Sequence, residues 1–185
     1  MDAIIPAFLD TFISDPGLAL SIRWVLAFVF ILAVVHKIKA PVIFQSILEN
    51  YRLLPSMLVT PLSYLIIVLK IVTIVALLVN VPQGSALAAG VLFIYTAAIT
   101  INLIRGRIDI DCGCSGPAIR QTLNGWLVVR NTGLIALAML TLRTSNLRPL
   151  EWLDGLTTAA AVIVFALIYT TVTQLSAVSS RYHHY

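Results

Sequence analysis

From Ser85 to Ile104, and again from Gly155 to Val178, this chain carries no charged side chain. Runs of that length dictate the solvent, because a helix needs roughly 20 apolar residues to cross the hydrocarbon core of a bilayer. Three more apolar stretches run from about Leu18 to Val35, Leu62 to Val81 and Trp126 to Leu142, interrupted only by Arg23, Lys70 and Arg130 respectively. A lone strand in hydrocarbon would leave its backbone groups unpaired, so all five runs are predicted helical. No stretch shows the repeated short alternating strands of a membrane barrel. The expected architecture is all-α: an integral membrane protein with a bundle of four to five transmembrane helices, one membrane domain over residues 1–185.

Composition points the same way. Only 11% of the residues are charged and 59% are hydrophobic, against about 25% charged in a typical soluble domain. The formal charge of +4 does not indicate nucleic-acid binding. Basic residues cluster at the ends of the apolar runs, where Lys and Arg flank a membrane, so the lipid bilayer is the expected partner. The residues before the first run contain three aspartates and no Lys or Arg, and end in the turn signal Asp15-Pro16-Gly17. The first run lies too deep, and lacks the basic start and small-residue cleavage site, for a removable signal peptide.

Between the first two runs lies PVIFQSILENYRLLP, bounded by Pro41 and Pro55. Phe44, Ile47, Leu48 and Tyr51 fall on one helical face, and Gln45, Glu49 and Arg52 on another. The segment is too short to span, so an amphipathic helix over about 42–53 is expected to lie at the membrane interface.

The remaining polar stretch of note, RIDIDCGCSGP (107–117), holds both cysteines, Cys112 and Cys114, in a loop expected over 105–124. An inert role, as small buried hydrophobes, sits badly with flanking Asp109, Asp111, Gly113, Ser115, Gly116 and Pro117. A structural disulfide is a weak explanation, since stabilisation grows with the loop enclosed and here one residue is enclosed. A bond across C-x-C is tight, and strain makes a disulfide more oxidising, which suits one that is passed on. Gly113 supplies backbone freedom between the sulfurs. Metal binding is the rival reading, but structural zinc usually takes four N or S ligands, and only His36, His183 and His184 supplement the pair. No metal is expected. Thiol–disulfide exchange stands first, with Arg105, Arg107 and Arg120 favouring a thiolate and Asp109 and Asp111 opposing it.

The stretch INLIRGRIDIDCGC resembles the methylamine utilisation protein MauE family, in which D-C-G-C follows a polar, Arg-containing helix end. His36-Lys37, Asn50 to Pro55 (NYRLLP) and Arg130-Asn131 agree with it, so the resemblance covers roughly residues 36–131. It implies maturation of a periplasmic enzyme, methylamine dehydrogenase, whose small subunit is rich in disulfides. It also implies a membrane-anchored thioredoxin-like partner of the MauD kind. A four-helix core like that of DoxX and vitamin K epoxide reductase proteins follows by analogy, which does not establish activity.

On that reading Cys112 and Cys114 are the catalytic pair, exchanging a disulfide with the partner and passing electrons to a membrane quinone. Asp111, Gly113, Arg105 and Arg130 are the supporting residues. A charge inside a membrane is costly unless paired or wetted. Lys70 is therefore a candidate for binding a quinone carbonyl or holding a thiolate, with snorkelling or a structural pair the equal alternative, and Arg130 is first a candidate for a structural pair with Asp111. Trp126 is a candidate wall of a quinone site, or an interfacial anchor.

Five spans place Lys37, Lys39, Arg52, Arg105, Arg107, Arg120 and Arg181 on the cysteine side, with only Arg143 and Arg148 clearly opposite. The positive-inside rule would make that side cytoplasmic, whereas disulfides persist in the periplasm. The expectation is the inner membrane of a bacterium with the pair at the periplasmic face. A cytoplasmic pair importing reducing equivalents, a non-catalytic scaffold and a metal-binding protein are the alternatives.

Overall fold

The computed structural model describes residues 15–53, 55–108, 110–112, 122–142, 149 and 151–182, with side chains to residue 175. Among the described residues six helices follow one another: α1 (Pro16–Lys39), α2 (Pro41–Asn50), α3 (Ser56–Leu78), α4 (Pro82–Ile104), α5 (Gly125–Leu140) and α6 (Trp152–Tyr182). Among the described residues there is no strand. Helices α1, α3, α4 and α6 are long and apolar enough to cross a bilayer. Helix α5, with 16 residues, rises only about 24 Å, short of a hydrocarbon core of about 30 Å.

Caps and turns set the helix ends more than the apolar runs do. Asp15 accepts a hydrogen bond from the Gly17 amide at 2.7 Å, so α1 begins ahead of Leu18 and carries on through Lys39. Helix α3 begins at Ser56, well before Leu62, and takes Pro61 into its body. A proline costs one backbone bond there, which neighbouring groups in a membrane bundle can make good. At the far end Asn80 adopts φ 63°. Its amide donates to Leu77 O and the Val81 amide to Ala76 O, at 3.2 and 3.0 Å. That left-handed cap turns the chain straight into α4.

The α3–α4 hairpin is close because Gly84 has no side chain. A Cβ there would lie 2.7 Å from the Ala76 carbonyl carbon and 2.9 Å from the Leu77 nitrogen, both backbone atoms that cannot swing aside. Gly84→Ala should therefore lower stability by roughly 1–3 kcal/mol, read as a fall in the melting temperature of the purified protein in detergent. An unchanged melt would show that the hairpin opens freely.

Arg23 is 7% exposed, so the charge interrupting the first run points inward. Its Nη1 donates to the Asn80 side-chain oxygen and its Nη2 to Thr141 O at 3.4 Å. The guanidinium thus ties α1 to the α3–α4 turn and the end of α5. The apolar core between these helices contains Leu26, Phe30, Leu77, Ala88, Leu92 and Leu134. Outward faces of α3, α4 and α6 are also apolar, with Leu65, Val68, Phe93, Ile94 and Leu167 each more than half exposed. That inside-and-outside oiliness is what a lipid solvent permits and water does not. The Arg23 knot closes one end of the bundle; the helix order puts α2 and the cysteine loop at the other.

Candidate functional site

Two local devices bring Cys112 back onto the bundle. At the end of α4, Gly106 takes φ 70°, its amide donating to Leu103 O and that of Arg107 to Asn102 O, both at 3.0 Å. A left-handed residue there reverses the chain. Beyond it, Asp111 and Thr122 form an antiparallel bridge, and the Leu123 amide donates to Ile110 O at 3.1 Å. The two arms of the loop are therefore pinned together, and Asn124 then caps α5 by accepting from the Leu127 amide at 3.2 Å. Cys114, Gly113, Asp109 and Arg120 lie outside the described residues, with most of the loop tip.

Cys112 is 2% exposed and packs with Tyr51, Ile99, Leu123 and Leu127. The Tyr51 hydroxyl lies 3.5 Å from Cys112 O, a long contact. Burial, and then the negative charge of Asp111, push the Tyr51 phenol well above its ordinary value, so it stays protonated and acts as a donor. Phe44 is buried, Ile47 and Leu48 are half-buried, and Glu49 and Arg52 are exposed. The face read from the sequence as apolar does turn inward, although α2 ends at Asn50, short of residue 53.

That face of α2 forms one wall of an apolar recess of about 390 Å³, bounded also by Phe93, Tyr95, Ala98 and Cys112 itself. The volume lies in the usual range of small-molecule sites, about 300–1,000 Å³. Tyr95 Oη is buried without a hydrogen-bond partner, an orphan donor of the kind that recognises a carbonyl oxygen.

The charges expected in the membrane sit elsewhere. Lys70 and Arg130 line a second, smaller cavity with Tyr95, Asn131 and Tyr169, so Lys70 does not line the recess at Cys112. Arg130 does not pair with Asp111, as the sequence reading had it. Its Nη2 donates to Asn131 Oδ1 at 3.3 Å, and its guanidinium lies over the Tyr169 ring at 5.6 Å. The charge of Asp111 acts instead on Lys37 and Tyr51, because the loop returns beside the ends of α1 and α2. Trp126 is 45% exposed and lines neither cavity, its place on the first turn of α5 turning it outward. Arg105 is exposed at the end of α4.

Three residues were not singled out from sequence as site residues. Lys37, counted there as a flanking charge, is 3% exposed, its Nζ 4.6 Å from the centre of the Phe44 ring and 5.7 Å from that of Tyr95. Tyr51 was read only as one of an apolar face, and Tyr95 only as part of an uncharged run. Lys37 lies in the His36-Lys37 match and Tyr51 in the NYRLLP match, which were the available signals.

The fold and site define a class: a helical multi-pass membrane protein that buries a cysteine against an apolar recess at one end of its bundle. The sequence model of the family described as methylamine utilisation protein MauE matches residues 15–144, and this chain belongs to that family. It is 31% identical over 173 residues to the methylamine utilization protein MauE of Paracoccus denitrificans, covering 91% of this chain and 92% of that one. Identity to the MauE of Methylophilus methylotrophus is 31% over 170 residues, 87% of each chain. With the MauE of Paracoccus versutus it is 28% over 173 residues, 92% of this chain and 93% of the other. No solved structure matches this chain.

Proposed function

We propose that this protein is a membrane thiol–disulfide oxidoreductase whose Cys112–Cys114 disulfide oxidises a thioredoxin-like partner of the MauD kind. The client is the disulfide-rich small subunit of methylamine dehydrogenase, and a bilayer quinone is the final acceptor. The observation that carries the reading is that Cys112 belongs at once to a polar loop and to the wall of an apolar recess. A chain with one cysteine pair must meet partner and acceptor at the same sulfurs. Further support is that Cys112 is not a free thiol.

Because Cys112 is buried, the scheme takes Cys114 as the attacked sulfur. A partner thiolate attacks Cys114 Sγ, the bond between the two cysteines breaks, and Cys112 leaves as the thiolate. The partner's second thiol then displaces Cys114, so the partner is oxidised and the pair holds two electrons and two protons as thiols. A quinone held in the recess would supply the acceptor for the two electrons and two protons that the pair must lose to return to the disulfide. The residues of the recess suit such a guest: Phe44, Ile47 and Phe93 exclude water, while Tyr95 Oη and the protonated Tyr51 are hydrogen-bond donors.

The test uses the purified full-length protein in nanodiscs with the partner's dithiol and a short-chain quinone. One quinol should form per partner disulfide. Partner oxidation that proceeds without quinol would remove the quinone from the scheme, and no oxidation at all would leave the scaffold reading. A cytoplasmic cysteine pair importing reductant is the second reading, carried by the Lys and Arg on that side. Burial of Lys37 beside Asp111 takes one charge out of that count. In intact cells after mild reduction, a membrane-impermeant thiol reagent should label the pair. Label appearing only after lysis would favour the import reading.

A further inference from the structure

The second cavity, between α1, α3, α4, α5 and α6, holds more positive charge than its protein partners answer. Lys70 is 6% exposed and has no hydrogen bond or ion pair among the described residues. Its Nζ lies over the Tyr95 ring at 4.1 Å and the Phe30 ring at 5.8 Å. Arg130 Nε and Nη1 are buried with no hydrogen-bond partner, only Nη2 being bonded, to Asn131. Lys37 and Arg130 both act on Lys70 as like charges, while Asp111, the carboxylate nearby, acts on Lys37 and Tyr51.

An arginine keeps its charge in proteins, and ring faces offset only part of the cost of burying a cation. Water would satisfy the orphan N–H groups but not the net charge. The cavity measures about 40 Å³, roughly three times what one water needs. That space takes a monatomic ion with a water or two and is too small for an aromatic ring. We propose that Lys70, Arg130 and Asn131, walled by Tyr95, form a buried binding site for one small inorganic anion of the halide class. The site is independent of the thiol chemistry proposed above.

The probe is chloride against gluconate, which is too large for the cavity, at matched ionic strength. Tryptophan-fluorescence melts of the full-length protein in detergent should rise saturably with chloride, by about 5 °C or more at a hundredfold excess over Kd. Lys70→Met should abolish the rise. Equal melts in the two salts, or the same rise in the variant, would overturn the proposal. Should Lys70→Met fail to fold, ³⁵Cl line widths of the wild-type protein decide. Broadening reversed by nitrate supports the site, and a width equal to that of the detergent buffer rejects it. A lipid phosphate is the other source of such an anion. A phospholipid that co-purifies one to one, is lost from Arg130→Gln and leaves no chloride effect would also overturn the inorganic ion.

Discussion

Cys112→Ser and Cys114→Ser should each lower the rate of partner oxidation by roughly 10³-fold or more, because in the scheme only the disulfide oxidises the partner directly. The two variants should nevertheless differ in what they trap. Cys112 is 2% exposed and packs with Tyr51 and Leu127, so the proposed scheme has a partner thiol attack Cys114. With a partner whose second cysteine is replaced and whose first is activated as a mixed disulfide with thionitrobenzoate, the Cys114 thiol of Cys112→Ser should displace thionitrobenzoate and accumulate a mixed disulfide at Cys114, and Cys114→Ser should not. Non-reducing gels with mass spectrometry of the linked peptides read the outcome. Equal trapping would mean that the burial of Cys112 does not set the order of attack. Full activity in both variants would refute the exchange mechanism and favour a scaffold that only holds the partner.

Ala98→Phe should separate the two half-reactions. Ala98 lines the recess at Cys112, where with its neighbour Ile99 it packs in the cluster of Tyr51, Leu123 and Leu127. A ring in that space would occupy the site assigned to the acceptor while leaving the loop arms and their bridge in place. Reoxidation of the reduced pair by a short-chain quinone should slow by at least about tenfold, the equivalent of 1.4 kcal/mol. A single turnover with the partner dithiol should be unchanged. Trp126→Ala, which alters an exposed residue lining neither cavity, is the control and should leave both steps intact. If Ala98→Phe reoxidises at the wild-type rate, the acceptor uses another route.

Much of the fold was legible because lipid imposes a simple rule. Apolar runs of spanning length must be helical, and α1, α3, α4 and α6 lie where four of them were read. The amphipathic segment was legible for a related reason: Phe44, Ile47, Leu48 and Tyr51 share a face by periodicity alone, and that face turns inward. The helix ends were less legible. Asp15, Asn80 and Gly106 place them through hydrogen bonds and left-handed backbone, and α3 takes in Pro61, where the apolar run had seemed to begin only at Leu62.

The interior charges mark the division most sharply. From sequence, Lys70 and Arg130 were recognisable as costly groups that need an answer, and Arg130 was given Asp111. Which charge faces which partner depends on how the cysteine loop comes back over the bundle. The Gly106 reversal and the Asp111–Thr122 bridge bring Asp111 to Lys37 and Tyr51, leaving Arg130 to Asn131 and Tyr169. By itself the sequence determined the solvent and the helical class and marked the cysteine pair as the candidate for chemistry, because those follow from side-chain polarity and local spacing. The apolar recess at Cys112, and the separation of the cationic cavity from it across Tyr95, arise from residues far apart in the chain. Only the packing of α2, α4 and the returning loop decides them.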